Sequence, residues 1–101
     1  MIYFIDIDDT ICTLSESLKY ETAVPIPQAI LKINKLYSEG HTIVFWTARG
    51  TKSGIDWRQL TETQLSSWGV QYHELRFGKP VYDVFIDDKN INSLDWLNEK
   101  Y

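Results

Sequence analysis

The stretch Ile2-Tyr3-Phe4-Ile5-Asp6-Ile7-Asp8-Asp9-Thr10 decides how this chain is read. Its apolar, β-prone start leading into an acid is the pattern of a buried strand over residues 2–6, with its carboxyl end at the rim of a sheet. Beyond it Asp6, Asp8 and Asp9 crowd one turn, and carboxylates so close repel unless a cation or a proton relieves them. A solvated acidic turn is the ordinary reading of such a loop. What argues further is a second apolar run, Asp83 to Ile86, that also ends in acids, Asp87 and Asp88.

Outward from this strand, residues 10–24 lack helical periodicity, and their Thr, Ser and Tyr suit a turn with a small flap-like hairpin. Pro25 and Pro27 punctuate the chain, and Ile26, Ile30, Ile33 and Tyr37 lay one apolar stripe along a helix closed by Gly40. Thr42-Ile43-Val44-Phe45-Trp46 is a second buried strand ending at Thr47. A polar loop over residues 50–54 leads to Asp56, a candidate helix cap with Gln59 three residues on. Trp57, Leu60, Leu65 and Trp68 supply an imperfect apolar face, and Gly69 stops that helix. Residues 70–75 alternate as a third strand, residues 83–86 give a fourth, and a last helix runs from Ser93 with Leu94, Leu97 and Tyr101 inward. Strands alternating with helices predict a mostly parallel sheet in a three-layer, Rossmann-like α/β sandwich. In such sheets ligands bind beyond the carboxyl ends of the strands, where Asp6, Thr47 and Asp87 would meet.

Composition bounds the rest. With 101 residues, 44% of them apolar and 24% charged, residues 1–101 read as one globular domain. The net charge of −4 comes without a basic run, so nucleic acid is not an expected partner. The start is too short and too acidic for a signal peptide, and no stretch has the length to span a bilayer. Cys12 is the only cysteine, which excludes an internal disulfide and suggests a reducing, cytoplasmic setting.

Asp6-Ile7-Asp8-Asp9-Thr10 after a strand, Thr47 after another, Lys79, and Asp87-Asp88, in that order, resemble the four motifs of the haloacid dehalogenase superfamily over nearly the whole chain. More narrowly, Trp46-Thr47-Ala48-Arg49-Gly50, Gly54-Ile55-Asp56-Trp57 and Gly78-Lys79-Pro80 with Ile86-Asp87-Asp88-Lys89 resemble small phosphatases of capsule and surface-polysaccharide biosynthesis. The resemblance implies a core without a cap domain and an Mg²⁺-dependent phosphatase acting through an aspartyl phosphate. It makes Asp6 the nucleophile and a metal ligand, and Asp8 the general acid and base, with its backbone carbonyl on the metal. It puts Asp87 on the metal, with Asp88 a ligand directly or through water. Thr47, the Ala48 amide and Lys79 would hold the transferring phosphoryl group.

The expected substrate is a small phosphorylated metabolite, a sugar phosphate first, with a nucleic-acid end phosphate as the alternative. A non-phosphatase hydrolase of the same superfamily is a further alternative, although Asp8 is superfluous where no alkoxide leaves. Arg49, two residues past Thr47, is open to two readings, substrate contact or surface salt bridge. His41 and His73 lack partners at metal spacing and read as strand-edge residues. The short sheet, with the first strand interior as the resemblance implies and the third and fourth as edges, suggests a homo-oligomer, most simply a dimer.

Overall fold

The computed structural model describes residues 1–14 and 19–98. Strand β1 (Ile2–Ile5) pairs in parallel with β4 (Thr42–Trp46), Ile2 opposite Thr42 and Ile5 opposite Phe45. Strand β5 (Glu74–Arg76) pairs in parallel with the other side of β4, Val44 opposite Glu74 and Trp46 opposite Arg76. Helices α1 (Pro27–Ser38) and α2 (Arg58–Ser67) make the two crossovers, as parallel neighbours require. The flap forms as a short antiparallel pair, β2 (Cys12–Thr13) with β3 (Val24–Pro25). Its tip, residues 15–18, lies outside the described residues.

Alternation along the strands explains the core. Ile43, Phe45, Ile5 and Leu75 face the helices and pack with Ala29, Ile30 and Ile33 of α1 and Leu65 of α2. Pro27 opens α1 at a position whose N–H has no intrahelical partner, and Gly40, at a φ of 93°, follows its last turn as a left-handed stop. The N-cap of α2 is Trp57, without a side-chain cap, and not Asp56 as expected; the Asp56 carboxylate, one residue earlier, accepts from the Arg58 N–H at 3.0 Å.

Three expectations need correction. The third strand is shorter than residues 70–75 suggested, beginning only at Glu74, while the His73 N–H bonds to the Ile43 carbonyl oxygen. The fourth strand is not formed: residues 81–91 are exposed and lie outside both sheets, so β1 is an edge and not an interior strand. That run folds on itself instead, the Tyr82 and Phe85 rings meeting at 5.3 Å and Asn90 donating to the Phe85 carbonyl.

The third layer of the sandwich is missing among the described residues for the same reason. Helix α3 (Ser93–Leu97) is tied to α1, Gln28 donating to the Leu97 carbonyl and Lys32 to that of Trp96. Trp96 and Leu97 pack toward the core while Leu94 stays exposed, and Tyr101 lies outside the described residues. The face of the sheet opposite α1 and α2 is open to solvent, its side chains touching one another, Phe4 edge-on to Trp46 and Arg76 over Phe4.

Phe45, on the central strand, has no exposed surface. Phe45→Ala is expected to lower the unfolding free energy by about 3–5 kcal/mol in urea titration, against less than half of that for the exposed Phe4→Ala. Equal losses would show that the two faces of the sheet carry equal weight.

Candidate active site

The turn after β1 is tight. Thr10 and Ile11 N–H groups both bond to the Ile7 carbonyl, Asp9 N–H bonds to the Cys12 carbonyl, and Asp9 takes a φ of 62°, which Asp tolerates better than most residues. With Ile7 and Ile11 fully buried as anchors, Asp9 is turned to solvent while Asp6 and Asp8 stay partly covered. The acidic triplet is thereby divided into three environments.

Asp6 stands at the carboxyl end of β1, 3.5 Å from the ammonium of Lys79. The two residues share a cavity of about 200 Å³ with Ala48, Pro80, Val81 and Tyr82. Burial raises the pKa of Asp6 above its ordinary 3.8, opposed by the charge of Lys79 and by a backbone hydrogen bond from Ile7. Lys79 is placed by the backbone: its N–H bonds to the Thr47 carbonyl, and the Thr51 hydroxyl bonds to the Lys79 carbonyl at 2.8 Å. The loops after β4 and β5 are thus stitched together across the sheet.

Thr47 extends the ladder past β4, its N–H bonding to the Arg76 carbonyl. It is only 1% exposed, and its hydroxyl accepts from the Arg49 N–H at 3.1 Å. Of the three residues read as phosphoryl-binding, Lys79 and Ala48 line the cavity and the buried Thr47 does not.

Asp8 faces elsewhere. Arg49 donates to both its oxygens, Nε to Oδ2 at 3.0 Å and a terminal nitrogen to Oδ1 at 2.8 Å. The other terminal nitrogen of Arg49 donates to Thr61 and Gln64 of α2, and the guanidinium lies 4.8 Å from the centre of the Tyr20 ring. Arg49 is 2% exposed, so its ion pair with Asp8 is a buried one and not the surface salt bridge considered from the sequence. The sequence singled out Arg49 only by its place two residues beyond a strand-end Thr; its partners Thr61 and Gln64, three residues apart on the facing helix, were not read as such.

Asp87 and Asp88 are exposed on the unpaired run. Among the described residues no three His, Cys, Asp or Glu side chains are grouped to hold a metal ion, so Asp6, Asp8, Asp87 and Asp88 are not gathered in this conformation. Asp6 alone offers its carboxylate to the cavity. Burial, with the charge of neighbouring Asp8 adding to it, pushes the Cys12 thiol up to about 12 and leaves it no thiolate character. His73 accepts from the Ile43 N–H and His41 meets the N-terminal amine, both structural roles at strand ends.

No protein-family profile matches this sequence, and no curated protein matches it. Among solved structures, the chain is similar to a crystal structure of an MCSG target from Vibrio cholerae, with a TM-score of 0.85 and 20% sequence identity. The likeness covers 98% of this chain and 89% of the other. It shows a shared α/β fold. No helix among the described residues is long and apolar enough to cross a membrane.

Two outcomes test the electrostatics. Arg49→Met leaves Asp8 without its cation in a largely dry site, and a loss of about 3–5 kcal/mol in unfolding free energy is expected; a loss below 1 kcal/mol would mean the pair is solvated. For Asp6, whose folded pKa is raised, the stabilising contribution is complete below the unfolded value and lost as pH rises through the folded one. Its ionised form therefore opposes folding at neutral pH. Asp6→Asn should raise Tm in metal-free buffer at about pH 7, with the gain shrinking toward about pH 4. A gain independent of pH would assign the effect to something other than this carboxylate's charge.

Proposed function

We propose that this protein is a phosphatase that transfers a phosphoryl group from a small phosphomonoester to Asp6 and hydrolyses the resulting acyl phosphate. One observation carries the reading: a carboxylate and an ammonium, 3.5 Å apart, share a cavity at the carboxyl rim of a parallel sheet. A carboxylate is a competent nucleophile toward phosphorus, and an ammonium beside it supplies the charge that a phosphate dianion needs. The resemblance to the haloacid dehalogenase superfamily supports the same assignment.

In the first half-reaction an Asp6 oxygen bonds to phosphorus as the bond to the leaving oxygen breaks, and Asp8 gives that oxygen a proton. In the second, water attacks the acyl phosphate, Asp8 takes the proton back, and Asp6 is released with inorganic phosphate. Lys79 neutralises Asp6 before substrate arrives and then turns to the equatorial oxygens. To serve in both steps Asp8 has to leave Arg49 and turn to the Asp6 cavity, since in this structure the guanidinium holds both of its oxygens.

The resident metal of this reading is Mg²⁺. The donors suit it in kind, since it prefers hard oxygens and needs few protein ligands. Asp6 would hold it, with Asp87 and Asp88 the carboxylates available to complete its shell; bound there, the ion screens Asp6 from the phosphate dianion. The net charge of −4 disfavours a nucleic-acid end as substrate.

Phosphate release from acetyl phosphate and from a panel of metabolite monoesters is the direct test. Release is expected to stop with chelator and return with Mg²⁺, to vanish in Asp6→Asn, and to fall about 10²–10³-fold in Lys79→Met. A near-normal rate in Asp6→Asn would remove Asp6 as phosphoryl acceptor.

A further inference from the structure

Beside the Asp6 cavity lies a second one, of about 150 Å³. The two adjoin along the chain at two places: Ala48 lines one and Arg49 the other, and so with Lys79 and Gly78. Its walls are set by the return of residues 50–57. Gly50 has a φ of 82°, and a Cβ there would collide with the Ile55 carbonyl and touch Trp57 at 3.3 Å, so only glycine lets the loop close. Trp57 is braced edge-on by Tyr20 at 5.1 Å, and the Phe77 ring is held under the Arg58 guanidinium at 4.8 Å. Both rings line the cavity and both are fixed in place before any ligand arrives.

Charge narrows what fits. The Arg49 guanidinium is spent on Asp8, Thr61 and Gln64, whereas Asp56, with one carboxylate oxygen taken by the Arg58 N–H and the other left over, is the acid that lines the cavity. A second phosphate or a carboxyl group is repelled there. Hydroxyl groups are not, since a carboxylate accepts from them strongly. Size narrows it further: the volume is below the range of about 300–1,000 Å³ usual for drug-sized ligands, enough for a single ring but not for a nucleoside.

Resting on the phosphatase reading above, we propose that this cavity is the leaving-group subsite and that it takes a neutral, polyhydroxylated ring, a monosaccharide. The apolar face of the sugar lies against Trp57, and Asp56 accepts from its hydroxyls.

The test is binding, separate from turnover. In the Asp6→Asn variant, the Trp57 indole N–H resonance, assigned through Trp57→Phe, is followed during titration with hexose phosphates and, separately, with inorganic phosphate. The sugar phosphates are expected to shift it and inorganic phosphate to leave it in place. Asp56→Asn in the same background should weaken the sugar phosphates about tenfold or more, the worth of a hydrogen bond to a charged group. An indole that responds to neither ligand, or equally to both, overturns the subsite, even if the wild type releases phosphate from acetyl phosphate and so upholds the phosphatase reading. Conversely, a sugar-specific shift in a protein without turnover keeps the subsite and removes the phosphatase.

Discussion

Much of the arrangement at the rim depends on one buried cation. Arg49 joins four parts of the chain: the β1 turn through Asp8, the loop after β4 through its own backbone, α2 through Thr61 and Gln64, and the flap through the Tyr20 ring. Gln64 closes the circuit by donating to the Tyr20 carbonyl. An arginine out of water is tolerable only when its donors are met by a charge and by further acceptors, as they are here. Planarity matters as well: Lys at this position could not span both oxygens of Asp8 and reach α2 at once.

That network has a consequence for the neighbouring pair. Because Asp8 is matched by Arg49, Lys79 is left to Asp6, and the two acids of the turn are each given a cation of different character. The Asp8 pair is tight and enclosed. The Asp6 pair is longer, and the carboxylate is 36% exposed, an arrangement that a competing anion can enter. Burial raises the pKa of Asp6 and the charge of Lys79 opposes it only in part, so its ionised form is held at a cost.

The parts of this fold legible in the sequence are those where one residue pattern admits one structure. Ile43 to Trp46 is too apolar for a surface and too short for a buried helix, and the four-three-four spacing of α1 has no strand equivalent. Asp6, Ala48 and Lys79 were reachable because strand ends and ligand sites coincide in parallel sheets. The run from Asp83 to Ile86 was misread for a physical reason: its pattern fits a strand, but pairing depends on a partner edge that the pattern does not encode. Tyr82 and Phe85 found each other locally instead. Arg49 escaped because its role rests on Thr61 and Gln64, and their nearness is set by the packing of α2.

The open edge of β1 and the exposed run beyond Pro80 are two sides of one cost. Ile2 and Phe4 are 69% and 53% exposed, and Val84 and Ile86 are 73% and 92% exposed, a large apolar surface for a domain of this length. Asp87 follows Ile86 directly, and adjacent Cα atoms lie about 3.8 Å apart. Any rearrangement that carries Asp87 and Asp88 to the rim beside Asp6 must therefore carry Ile86 and Val84 with it, toward the unpaired N–H and C=O groups of β1. Gathering the acids there would thus bring the apolar run toward the open edge in the same movement. The electrostatic repulsion among those carboxylates would oppose such a movement and the burial of the apolar run would favour it.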